Sequence, residues 1–261
     1  MSEARPRLAV FKFASCDGCQ VSILNLDERL LELAERFDVA FFLEASSRAE
    51  QGPYDVALVE GSITTPADAA RIRRVREESR TLVTIGACAT AGGIQALRNV
   101  ADAEAWKARI YPHPEWLETL ATSTPISEHV KVDHQIYGCP VNPEQVLRVL
   151  TRALLGTTPD LPGASVCIEC KARGHVCVLV ARGIPCMGPV TRAGCGALCP
   201  GLGRDCYGCF GPADDPNTAS LARRFESLGV AREDVARRFR GVEGWAPAFR
   251  RAAEALEGGD G

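Results

Sequence analysis

Eight cysteines crowd the stretch from Cys167 to Cys209, and the other four of the chain's twelve are scattered upstream. The crowded stretch is rich in glycine and proline and has little apolar periodicity. Such a segment cannot build a core of its own and is expected to need metal staples. The opening Met-Ser-Glu-Ala-Arg-Pro-Arg runs straight into a strand-like Leu8–Phe13. It shows neither a twin-arginine pair nor a signal-peptide apolar core, so the chain is expected in the cytoplasm. Reducing thiol pools there oppose disulfides, which leaves metal or redox chemistry to account for the cysteines.

Upstream of residue 156, short apolar runs alternate with helical patterns, the pattern of a parallel α/β sheet. The expected strands are Leu8–Ser15, Val39–Glu44, Asp55–Glu60, Leu82–Gly86 and Val132–Tyr137. Most are near-continuous Val, Ile, Leu, Ala and Phe, as strands covered on both faces require; the fifth is more polar. Between them, Ile23, Leu26, Leu30, Leu33 and Phe37 form one helical stripe. Thr65-Pro66 and Asn142-Pro143 each pair a capping side chain with a proline already at helical φ. Residues 157–164 read as a linker. Helical character returns after Pro216 with Leu221, Phe225 and Leu228, and again around Pro247–Leu256. The arginines of this tail (Arg223, Arg224, Arg237, Arg238) alternate with acids and read as a solvated face. Three segments result: 1–156, 157–215 and a helical tail over 216–261.

Cys16 and Cys19 follow the first expected strand, Cys88 the fourth and Cys139 the fifth. In an open parallel sheet, loops at the carboxyl ends of strands converge on one crevice. Four thiolates gathered there suit a 4Fe–4S cluster. Gly18, Gly86 and Gly138 would let backbone N–H groups approach the inorganic sulfides. Glu60 ends the third strand and faces the same crevice, either as a solvated strand-end carboxylate or beside the cluster. A thioredoxin-like dithiol would leave Cys88 and Cys139 unused. A structural zinc draws on closely spaced pairs, whereas these two arrive singly.

The downstream eight are Cys167, Cys170, Cys177, Cys186, Cys195, Cys199, Cys206 and Cys209. Only Cys195-x3-Cys199-Pro200 matches the end of the bacterial ferredoxin run. Eight thiolates divide into two further 4Fe–4S clusters, but ligands cross between clusters in such domains, so their grouping stays open. Two zinc ribbons are the competing reading. With three complete thiolate sets, the four histidines (His113, His129, His134, His175) are not needed as ligands. The net charge of -3 lacks the basic excess of a nucleic-acid binder. No stretch approaches the roughly 20 apolar residues of a membrane span.

Ser15-Cys16-Asp17-Gly18-Cys19-Gln20, Val59-Glu60-Gly61, Gly86-Ala87-Cys88-Ala89, Gly138-Cys139-Pro140 and Gly183–Pro189 through Gly194-Cys195 resemble the small subunit of nickel–iron hydrogenases. The similarity is greatest to the delta subunit of cytoplasmic, cofactor-coupled sulfhydrogenases and covers residues 8–212. The resemblance implies a flavodoxin-like first domain with a proximal cluster on Cys16, Cys19, Cys88 and Cys139, and a small ferredoxin-like domain after it. It also implies a glutamate near that cluster at Glu60. The related complex I subunit carries adjacent cysteines at the first position, whereas two residues separate Cys16 from Cys19 here.

The expected role is an electron-transfer subunit that makes no bonds alone. It would connect a Ni–Fe large subunit with flavin or iron–sulfur diaphorase-type partners serving NAD(P). A stand-alone iron–sulfur carrier and a zinc-stabilised interaction module are the alternatives.

Overall fold

The computed structural model describes residues 5–258. Met1–Ala4, part of the opening read above as leaderless, and residues 259–261 at the end of the tail lie outside the described residues. The chain divides into two compact units. Residues 1–136 and 140–160 form the first; residues 137–139 and 161–261 form the second.

The first unit is built on β1 (Arg7–Lys12), β2 (Asp38–Phe42), β3 (Tyr54–Glu60), β4 (Ser79–Ile85) and β5 (His134–Ile136). All neighbours pair in parallel in the order β2-β1-β3-β4-β5, the flavodoxin-like winding. Each expected strand is present: β1 and β2 start one residue earlier and end sooner, β3 and β4 begin earlier than expected, and β5 is shorter at both ends. Ala9, Phe11, Ala57, Val59 and Leu82 pack on Ile72 and Val75 of α3 (Pro66–Glu77). Leu8, Val10 and Leu58 face Ile23 of α1 (Gly18–Leu24) and Leu33 of α2 (Glu28–Arg36) on the other side. Helices thus cover both faces.

The stripe from Ile23 to Phe37 is not one helix. Asp27 takes φ 52, and the chain breaks between Leu24 and Glu28 while Leu26 and Phe37 stay buried. Asp tolerates positive φ better than most residues, which makes it a natural break point. α4 (Gly86–Ala91) follows β4 directly. A long crossover carrying α5 (Ala103–Ile110) and three 3₁₀ turns then leads to β5. Asp133 fixes the entry to β5 by accepting the Leu82 N–H at 2.8 Å while Arg76 holds it at 2.6 Å. The Thr65 side chain caps α3 by accepting from Asp68 N. Asn142 accepts from Glu144 N at the start of α6 (Pro143–Leu154), which ends before Gly156 at φ 62.

The second unit contains α7 (Val166–Ala172), α8 (Val178–Ala181), α9 (Leu198–Gly201), α10 (Thr218–Ser227), α11 (Arg232–Phe239) and α12 (Pro247–Glu257). The cysteine-rich segment does have an apolar core, because the tail helices complete it. Phe225, Val235, Phe239 and Phe249 pack with Val166, Val178, Met187 and Val190. Cys186 and Cys206 are members of the same cluster. Arg238 departs from the solvated-face reading: it reaches Pro185 O at 2.9 Å and Asp205 at 2.7 Å. Arg223, Arg224 and Arg237 are exposed, as that reading requires. No helix among the described residues is long and apolar enough to cross a membrane.

Candidate metal centres

None of the twelve cysteines is disulfide-bonded. In the first unit, the chain leaves β1, turns at Asp17 with φ 64, and starts α1 at Gly18, so Cys16 precedes the helix and Cys19 lies in its first turn. Cys16 is exposed and Cys19 buried. A Cβ on Gly18 would lie 3.4 Å from Cys16 Sγ. Cys19 Sγ accepts the Val141 N–H at 3.4 Å.

Glu60 is not a solvated strand-end carboxylate. It is 1% exposed, with Oε1 accepting from Cys19 N at 3.1 Å and Oε2 from Gln20 Nε2 at 2.8 Å. Burial pushes its carboxyl above the ordinary range, and the two donors oppose that shift. The carboxylate ties the cysteine-bearing turn to the end of β3.

Cys88 sits on α4, which opens at Gly86 with φ 82 and closes on Gly92 and Gly93. A Cβ on Gly93 would come within 2.6 Å of Cys88 Sγ and 2.9 Å of Cys88 Cα. Gln95 holds its carboxamide 3.6 Å from Cys88 Sγ and donates to Ala14 O at 2.6 Å, joining the Cys88 turn to the loop that leads to Cys16. Nothing local in the sequence marks Gln95; its contact partner lies 81 residues away. Cys139 is exposed and belongs with residues 137–139 to the second unit. It stands in the chain directly between β5 and Pro140.

In the second unit, Cys167 and Cys170 ride on α7, Cys177 caps α8, and Cys199 lies on α9. A Cβ on Gly188 would meet Cys186 Sγ at 3.4 Å and Cys167 Sγ at 3.8 Å, so one glycine separates these thiols. Cys206 N donates to Cys186 Sγ at 3.2 Å. Glu169 accepts from Gly194 N at 3.0 Å and Gly196 N at 3.1 Å, which fixes the loop around Cys195. Burial pushes Cys170 up to about 11, with Cys167, Cys186, Cys177 and Cys195 adding to the shift. Cys206 and Cys209 rise to about 12, again first by burial. Cys209 also feels Cys195, Cys139 and Cys199, and Cys206 feels Cys186 and Cys209. The thiols therefore form a connected series rather than quartets contiguous in sequence.

A tetrahedral zinc needs its donors about 2.0–2.3 Å from one point. Among the described residues, no three His, Cys, Asp or Glu side chains gather closely enough to hold a single ion. Thiols alone, spaced around glycines, suit a larger sulfide-bridged core. Two of the histidines make other contacts. His129 Nε2 meets Thr124 Oγ1 at 2.7 Å, and His113 stacks on Trp116 at 4.1 Å.

Residues 16–153 match the model of the family described as NADH ubiquinone oxidoreductase, 20 Kd subunit. The chain belongs to this family. Within it, the chain goes with the hydrogenase subunits. It is 35% identical over 239 residues to sulfhydrogenase 2 subunit delta of Pyrococcus furiosus, covering 92% of this chain and 100% of the relative. A chain from the NAD+-reducing [NiFe]-hydrogenase in its H2-reduced state superimposes with a TM-score of 0.56 at 32% identity, over 61% of this chain and 96% of its own. The actinobacterial-type NiFe-hydrogenase from Ralstonia eutropha H16 shares the fold over 97% of this chain and 90% of its own, with a TM-score of 0.57 at 17% identity. The expected likeness to a hydrogenase small subunit is borne out, and the relatives it matches are themselves named as hydrogenase subunits.

Proposed function

We propose that this chain is the electron-transfer small subunit of a cytoplasmic nickel–iron hydrogenase, holding three 4Fe–4S clusters. Cys16, Cys19, Cys88 and Cys139 hold the first cluster, with Gly18, Gly86 and Gly138 giving it backbone room. The eight downstream cysteines hold the other two. The clusters supply one-electron redox chemistry when bound. The chain's own residues position the thiols: Glu60 and Gln95 lock the turns after β1 and β4, and Cys139 is tethered by its neighbours to β5 and α6. The partners are a large subunit with the Ni–Fe centre and diaphorase-type flavin or iron–sulfur subunits that react with NAD(P). The hydrogenase names of its relatives support those partners.

The observation that carries the reading is the pair of turns at the ends of β1 and β4, joined through Gln95 and braced by buried Glu60. Metal analysis tests it. The reading expects about twelve irons and as many acid-labile sulfides per chain. Stoichiometric zinc would instead identify an interaction module. Isolation from the native host should bring down a nickel-containing chain; a stand-alone carrier would come alone.

A further inference from the structure

The side-chain amide of Gln95 stands between two acceptors in the first unit. Its Nε2 lies 2.6 Å from Ala14 O and 3.6 Å from Cys88 Sγ, and its Oε1 also lies 3.6 Å from Cys88 Sγ. The sulfur is equidistant from the two ends of the amide and does not discriminate between them. Ala14 O does. A carbonyl oxygen accepts and never donates, so the atom 2.6 Å from it is the nitrogen. One N–H is used there, and the second is available to the sulfur.

This orientation is held from both sides. Ala14 O is itself fixed by the Ser62 N–H at 3.0 Å, and Ala14 N donates in turn to Ser62 O at 3.2 Å. Gly93 closes the other side, since a Cβ there would lie 2.5 Å from Gln95 Oε1. A neutral Cys88 thiol can donate its S–H to Oε1. A metal-bound thiolate has no proton to give, so the Nε2 N–H becomes the hydrogen bond that the amide can make to it. Cys19 is served differently: its donor is the Val141 backbone N–H at 3.4 Å, which does not depend on the side chain at 141. At Cys88 the donor is a side chain, and a substitution can remove it.

Resting on the assignment of Cys88 to the first cluster, we propose that Gln95 raises the reduction potential of that cluster by donating its Nε2 N–H to Cys88 Sγ. Reduction adds one electron to a 4Fe–4S core, and no bond forms or breaks. The added charge is shared with the ligand sulfurs, so a donor aimed at one of them favours the reduced form.

The test uses the full, iron-loaded chain, titrated with dithionite at a fixed, mildly alkaline pH and followed by low-temperature EPR. Gln95→Met keeps the length of the side chain and can donate to neither acceptor. One reduction step should move to lower potential, by about tenfold in its equilibrium constant or about 59 mV for one electron, while the other steps stay in place. Gln95→Glu, ionised at that pH, should move the same step further down. Gln51→Met, exposed just before β3 at the opposite end of the sheet, should move none. A spectroscopic signature separates tuning from bracing. With the glutamine side chains labelled with nitrogen-15, pulsed EPR of the reduced wild type should show a nitrogen coupling that Gln95→Met lacks. Unmoved steps, a shift to higher potential or an unchanged nitrogen coupling would overturn the proposal. So would Gln95 variants that no longer take up iron, because the side chain would then be a structural brace. Iron and sulfide assays on the same samples separate the two claims. A wild type that takes up no iron sinks the electron-transfer reading, whereas loaded variants with unmoved potentials sink the role of Gln95 alone.

Discussion

Gly93→Ala should damage the first unit far beyond what a glycine substitution ordinarily does. Gly93 has φ +65, and an added Cβ would sit 2.6 Å from Cys88 Sγ, 2.9 Å from Cys88 Cα and 2.5 Å from Gln95 Oε1. Two costs add. With ψ -164, Gly93 lies in a region essentially reserved for glycine, and placing an L-residue there costs about 1–3 kcal/mol. Forcing a methyl group into an occupied site costs about 1–3 kcal/mol more. Reduced freedom of the unfolded chain returns roughly 0.4–1 kcal/mol, leaving a net loss of about 1–5 kcal/mol, centred on about 3. Gly156 is the internal control: it has φ +62, but nothing lies within 4 Å of its Cβ position. Gly156→Ala carries only the backbone cost and should lose about 1 kcal/mol or less. At a urea slope of about 2 kcal/mol/M, the two variants should differ in midpoint by about 1 M. Gly93→Ala must also displace Cys88 Sγ, so iron should fall by about four per chain while Gly156→Ala keeps the full complement. Equal midpoints and equal iron in the two variants would refute the claim that Gly93 exists to seat Cys88.

Three further outcomes follow from the packing and the charges. Phe239 is fully buried and meets the Phe249 ring edge-on at 5.8 Å, so Phe239→Ala should cost about 3–5 kcal/mol. Because Cys186 and Cys206 share that core, the variant should also retain less iron than wild type although every ligand remains, as an iron assay after gel filtration would show. Burial opposes the charge on Asp133, but the Leu82 N–H and Arg76 outweigh it and hold the carboxyl below the usual carboxylate range. A depressed acid stabilises the fold above its unfolded pKa and loses that contribution as pH falls through the folded pKa. Urea midpoints of wild type and Asp133→Asn should therefore converge as pH drops below about 4 and stay apart above it. Cys170, at about 11, and Cys206 and Cys209, at about 12, are protonated in the metal-free chain at neutral pH. Cluster assembly must displace those protons, so reconstitution from iron and hydrosulfide should release about one proton per thiol beyond the one each hydrosulfide gives up, and slow as pH is lowered from 8.5 to 6.5, read by an indicator dye in weak buffer.

The sheet and the strand-end cysteines were legible because they depend on local pattern. Runs such as Val56–Val59 are apolar throughout since both faces are covered, and a cysteine just past such a run lands at the carboxyl edge whatever the rest of the chain does. Four features were not legible, each for a physical reason. The apolar stripe from Ile23 to Phe37 survives a chain break, because periodicity reports which side is buried and not whether the hydrogen-bonded helix is continuous. Arg232–Phe239 presents only Val235, Ala236 and Phe239 inward among five charged residues, and so reads as solvated tail. Gln95 and the buried state of Glu60 are set by partners 81 and 41 residues distant, and no local signal carries such contacts. The cysteine-rich segment looked coreless for the same reason, since the phenylalanines that complete its core lie beyond residue 220.

The two units hold their thiols by different means, and the difference explains which parts of the sequence tolerate change. In the first unit the sheet has a complete core of its own, made by Phe11, Val59, Ile72 and Leu82. Its thiols sit outside that core, on turns braced by Glu60, Gln95 and Gly93. The fold makes the site, and losing a ligand there leaves the sheet intact. In the second unit the thiols are part of what the helices pack against: Cys186 and Cys206 are buried beside Phe225 and Phe239. Burial that stabilises the packing also drives those thiols toward the neutral form, so core and ligand set make opposed demands on the same sulfurs. A positively charged metal core resolves the conflict, because it allows the sulfur to be buried and ionised together. On the proposed cluster-bearing reading, the second unit's stability is coupled to its metals in a way that the first unit's is not, and the tail helices supply packing that metal alone would otherwise have to replace.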